Sequence, residues 1–198
     1  MNTKLPRSQF RLLALLPFLF FLAQALHYWQ INELGHMLWM CNIGNLMLAA
    51  GIFFEQAILI RIAVMWMLPG LIVWAIYVVP TWGMLISGKF SWIEFFGVIS
   101  STLAHVGGIS VGVVVLRRFR MDGQTWLYAF VWYLVMQVAS RLFTSSAMNV
   151  NLSHRVQNGF EQTFNSYWKF WITLTVVVAV VAWLLGQLLK QIWPVHEI

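Results

Sequence analysis

The sequence predicts an all-α membrane protein, a single polytopic bundle of about six transmembrane helices with both termini cytoplasmic. Three observations predict it. Of 198 residues, 61% are hydrophobic and 9% charged, against about 25% charged in soluble domains. The apolar residues fall into runs close to the roughly 20 that a helix needs to cross a bilayer. Lys and Arg gather at the ends of those runs, more on one side than the other.

The first span is expected over 11–31. Lys4, Arg7 and Arg11 precede it as in a signal peptide, but no small-x-small cleavage site closes the run, so it reads as a retained helix. A polar turn, Asn32-Glu33-Leu34-Gly35, leads into a second span over 36–54. The third covers 57–79, with Pro69-Gly70 expected to kink it and Pro80 to end it. A loop containing Gly83, Gly88 and Lys89 follows. The fourth span covers 92–116 and stops at Arg117-Arg118-Phe119-Arg120. The fifth covers 124–144, a polar loop 145–165, and the sixth 167–189.

Orientation follows from the basic residues near the spans. One side holds Lys4, Arg7, Arg11, Arg61, Arg117, Arg118, Arg120 and Lys190; the other holds Lys89, Arg141, Arg155 and Lys169. The richer side is expected to be cytoplasmic, which places the 145–165 loop outside. Trp39, Trp82, Trp92, Trp168, Trp171 and Trp193 fall near predicted interfaces, as aromatic anchors do. The net charge of +6 is thus spent on topology and lipid headgroups, and nucleic acid is not an expected partner. Cys41 is the single cysteine, which excludes an intramolecular disulfide and a Cys-x-x-Cys redox mechanism.

Polar side chains inside spans are costly and tend to face a bundle interior or a cavity. Here they recur at helical spacing: Gln24 with His27, Cys41 with Asn45, Ser101 with His105, Gly108 and Gly112, and Gln137 with Arg141 and Thr144. Most lie in the outer half of their spans, so they are expected to converge on one outward-facing cavity. A His beside a Cys can take its proton and make a nucleophile. Asn45 can donate to an oxyanion, and the planar fork of Arg141 suits a phosphate. With His27 and Gln137 completing the substrate side, these groups suit acyl transfer on a phospholipid, with Cys41 and His105 catalytic. No cofactor is expected. Each residue also has a plainer reading: a packed Cys, a hydrogen-bonded His, an Arg141 that snorkels, and a Gly108–Gly112 pair that packs helices.

The order of short motifs resembles a known family. His27, Met40-Cys41-Asn42, Met67-Leu68-Pro69-Gly70, Ala104-His105-Val106-Gly107, Asn149-Val150-Asn151 and Ser166-Tyr167-Trp168 occur along most of the chain. Their sequence is similar to that of small integral membrane proteins of the bacterial YwaF type, which are related to a human ether-phospholipid acyltransferase. Asn42 stands where an acidic residue is common and Ala104 where Ser is common. The resemblance implies acyl transfer by a Cys–His pair, carried here by Cys41 and His105, in a bacterial inner membrane. Two other readings stay open: a haem- or metal-binding membrane subunit using His27, His36, His105 and Cys41, and a transporter or partner subunit of a membrane complex. Membrane lipids are expected partners, and a membrane-protein partner or a homo-oligomer is left open.

Overall fold

The computed structural model describes residues 6–86, 88 and 91–194, the side chains of 84–86 excepted. The chain is an all-α helical bundle, built from α1 (Arg7–Leu12), α2 (Leu15–Gln30), α3 (Met40–Phe53), α4 (Ala57–Ile86), α5 (Trp92–Thr102), α6 (Gly108–Leu116), α7 (Thr125–Phe143) and α8 (Tyr167–Ile192). α1 and α2 are joined through Leu13 and Ala14, and five stretches are long and apolar enough to cross a membrane: Arg7–Gln30, Ala57–Gly83, Trp92–Leu116, Thr125–Phe143 and Tyr167–Ile192. The chain is therefore an integral membrane protein.

α3 is the exception among the expected spans. Its 14 residues cover only about 21 Å at 1.5 Å per residue, against a hydrocarbon core of about 30 Å. The missing length is made up by a 3₁₀ segment, Leu34–Leu38, so the second span begins four residues later than its hydropathy suggests. α4 departs the other way. It runs on through Pro80 to Ile86, and Gly83 belongs to the helix instead of a loop. Pro80 removes one backbone donor, and the helix continues past it. Lys89 lies outside the described residues.

α3 and α6 pack closely on α4. A Cβ on Gly44 would lie 2.9 Å from Met67 Cγ, and one on Gly112 would lie 2.7 Å from Val64 Cγ2. The core there is fully buried: Leu48, Ile52, Ile60, Val64 and Leu116. Gly108 and Gly112 thus act as close-approach positions between helices.

One end of the bundle is basic. α3 closes in a Schellman turn, with Gln56 N–H donating to Gly51 O at 2.8 Å and Glu55 N–H to Ile52 O at 3.3 Å. Glu55 holds the left-handed position of that turn at φ +55°, where Gly is usual. Its carboxylate gathers Arg7 at 2.6 Å, Arg11 at 3.1 Å and Arg118 at 3.3 Å, which ties α1 and the end of α6 to the turn. Arg61 pairs with Asp122 at the same end, and Met121 N–H donates to Trp193 O.

The opposite end carries a polar plug. Residues of the 145–165 loop dock on Leu34–Leu38 and on α7, and Val150, Asn151 and Ser153 are buried there. The loop contains three left-handed non-glycine residues, Asn149, Asn151 and Leu152.

Candidate functional site

The residues singled out from the sequence divide into three neighbouring groups and do not line one cavity.

The first group surrounds Cys41 and His105. Cys41 is the second residue of α3 and packs on the bare backbone of Gly70, whose missing Cβ would lie 3.4 Å from Cys41 Cβ. One turn along α4, the Trp74 ring stacks on His105, with centroids 5.0 Å apart and planes at 11°. Thiol and imidazole therefore face successive turns of the same helix.

His105 sits in a π-helical turn, Leu103–Gly107, in which Gly108 N–H reaches back to Leu103 O. Such turns leave a carbonyl without its usual helical donor. Asn45 Nδ2 fills that need, donating to Ala104 O at 2.9 Å and to Cys41 O at 3.1 Å. Both amide hydrogens are committed, so Asn45 is a strut between the two segments, not a free donor for an oxyanion.

His105 is buried, and its Nδ1 lies 2.8 Å from Ser101 O. A carbonyl only accepts, so Nδ1 carries the proton and Nε2 presents a lone pair. Trp74 Nε1 donates to Ser101 Oγ at 2.8 Å, which fixes both ring and loop of helix around the imidazole. Among the described residues no hydrogen bond joins Cys41 Sγ to His105. In the first turn of α3, Met40 N–H is taken by Asn151 Oδ1 and those of Asn42 and Ile43 by Trp39 O. The Cys41 N–H has no backbone partner among the described residues.

The second group lines a cavity of about 650 Å³ between α2, α4 and α5. Gln24 and His27 form one wall, Trp74, Tyr77 and Val78 another, and Gly97, Val98 and Ser101 a third. His27 fits because Gly97 has no side chain: a Cβ there would lie 2.3 Å from His27 Cε1. Gln24 Oε1 and His27 Nδ1 are buried with no hydrogen-bond partner among the described residues. Glu94 stands in the lining, which among the described residues includes no Lys or Arg. Trp74 and Ser101 separate this cavity from His105.

The third group belongs to the plug. Gln137 Nε2 donates to Asn151 O at 2.6 Å and Arg141 Nη1 to Ser153 O at 2.7 Å. The Arg141 guanidinium lies 5.2 Å from the Tyr167 ring centroid and 5.5 Å from that of Trp168. Thr144 meets His154 Nε2 at 3.2 Å. The α7 stripe read from the sequence is real, and what it faces is the loop backbone.

His27, His36, Cys41 and His105 do not assemble as ligands: among the described residues no three His, Cys, Asp or Glu side chains form a group that would hold a metal ion. His36 is instead held by Glu33 at 3.1 Å and by Trp39 Nε1 at 3.1 Å.

Trp74, Gly70 and Gly97 were not visible as site residues in the sequence. Gly70 and Trp74 do share the i, i+4 spacing of one helix face, which is the signal that pairs them. Comparison with protein-family models, with curated proteins and with solved structures finds no match.

Proposed function

We propose that this chain is a membrane-embedded enzyme that transfers or hydrolyses phospholipid acyl chains, with Cys41 as nucleophile and His105 as base. The observation that carries this reading is the Asn45 strut, which ties the carbonyl of Cys41 to the segment presenting His105. The motif order shared with YwaF-type proteins and their ether-phospholipid acyltransferase relative supports the same pair.

The chemistry follows from the groups present. His105 Nε2 takes the thiol proton, directly or through one water, because catalytic hydrogen bonds often tighten only in the complex. The thiolate attacks the ester carbonyl carbon. The resulting oxyanion faces the Cys41 N–H, which, unlike those of Met40, Asn42 and Ile43, has no backbone or Asn151 partner among the described residues. The ester C–O bond then breaks, and the leaving lysophospholipid oxygen takes the proton from His105. Cys41 is left as a thioester. A lysolipid hydroxyl or water attacks it, His105 accepts the incoming proton and returns it to Sγ.

The cavity beside Trp74 supplies the lipid berth. Its lining is largely apolar, and Glu94 stands there with the rings of Tyr28, Trp74 and Tyr77, groups suited to the ammonium of a zwitterionic headgroup. By the positive-inside rule the Glu55 end is cytoplasmic and the cavity opens towards the outer leaflet; the resemblance to YwaF-type proteins points to a bacterial inner membrane.

The test is lysophospholipid release from phosphatidylcholine vesicles holding the purified chain, followed by mass spectrometry. His105→Ala is expected to lower the rate by about 10²–10⁴, and Cys41→Ser to abolish it. Full turnover by Cys41→Ser would contradict the reading.

A further inference from the structure

α3 begins without a cap of its own. Its N-cap residue is Trp39, whose side chain makes no capping hydrogen bond. Met40, its first residue, is buried, and the first N–H groups of a helix have no partner within it, so a buried one needs an acceptor from elsewhere in the protein.

Asn151 is that group. Its Oδ1 accepts from Met40 N–H at 3.2 Å, and its Nδ2 donates to Leu38 O at 2.8 Å and to Ser140 Oγ at 2.8 Å. One side chain from 111 residues away thus satisfies the last carbonyl region of the 3₁₀ segment and the first amide of α3. The backbone at Asn151 is left-handed, φ +52°, a conformation Asn tolerates better than most residues. It is held from the other side by Gln137 Nε2 on Asn151 O.

We infer that Asn151 is a positioning residue for Cys41: it caps α3 in trans and sets the height and direction of the thiol one residue further on. This rests on the Cys41 reading above. It also assigns the outer loop a task in the reaction: strain in the left-handed segment is offset by the bonds that hold the nucleophile's helix in place.

Cys41 is the single cysteine of the chain, so alkylation by N-ethylmaleimide, followed by intact mass, reports this thiol alone. Asn151→Gly removes the cap without penalising the positive φ, and is expected to speed alkylation about fivefold as the first turn of α3 frays. Tyr167→Phe loses a hydroxyl bonded to Ser153 O, and Ser140→Ala loses one Asn151 contact. Both loosen the same loop but leave the cap, and both are expected to keep the wild-type rate. In the turnover assay Asn151→Gly is expected to lower kcat with KM unchanged. An unchanged alkylation rate in Asn151→Gly, or an equal increase in the two loop controls, overturns the inference. If Asn151→Gly does not fold, amide exchange of the wild-type chain decides: the capped Met40 amide should exchange more slowly than that of Cys41, and equal rates overturn it. A wild-type chain without lipid turnover leaves the alkylation and exchange results standing, so failure of the catalytic reading is told apart from failure of the cap.

Discussion

Gly108 lacks a side chain because Asn45 and Met67 fill the space one would need. A Cβ there would lie 2.3 Å from Asn45 Oδ1 and 2.4 Å from Met67 Cε. Gly108→Ala must therefore push the Asn45 amide away and strand the carbonyls of Cys41 and Ala104. The expected loss is about 1–3 kcal/mol, as for other overpacked interiors. Gly83 provides the contrast: it is helical, and among the described residues nothing lies within 4 Å of a Cβ built on it. Gly83→Ala should be neutral or stabilising by up to about 1 kcal/mol. Thermal unfolding of both variants in detergent checks the pair, and equal melting temperatures would show that the Asn45 strut does not hold its neighbours. The polar residues themselves were legible in the sequence, since their spacing put Cys41 with Asn45 and Ser101 with His105. Their partners were not. Asn45 and Gln137 bond backbone carbonyls in other segments, and no sequence pattern announces which carbonyls a π-helical turn or a buried loop will leave open.

At the scale of elements, the turn after α3 gives a pH dependence. Hydrogen bonding from Arg7, with its charge and that of Arg11, holds the Glu55 carboxyl below its ordinary value. A depressed folded-state value means that the contribution is fully present above the ordinary carboxyl range, near about pH 4.3, and is lost as pH falls through the folded-state value. Melting temperature should fall over that acid range, and Glu55→Gln should flatten the fall. An identical acid profile in the variant would remove the carboxylate from the account. The elements were read best where hydropathy alone decides, as in 92–116 and 167–189. They were read worst at α3 and α4. Pro80 looked like a stop, but a transmembrane helix tolerates the loss of one donor. Positions 36–39 were read as the start of the second span, but Leu34–Leu38 form a 3₁₀ segment and the α-helix starts only at Met40.

At the scale of the molecule, the bundle has a basic end locked by Glu55 and an opposite end where an irregular plug is buried among helices. Irregular backbone buried in protein needs its polar groups satisfied, and Gln137, Arg141, Asn151 and Tyr167 do so here. That plug caps the helix of Cys41, and α4 presents Gly70 to the thiol and Trp74 to His105. The central claim is that Cys41 carries an acyl group during turnover. The most direct measurement is intact mass of the chain after incubation in vesicles of a phospholipid with one defined acyl chain. The account predicts a hydroxylamine-sensitive gain of one acyl mass on Cys41, absent in Cys41→Ala and strongly reduced in His105→Ala. An unmodified Cys41 in a chain that still releases lysophospholipid would contradict it.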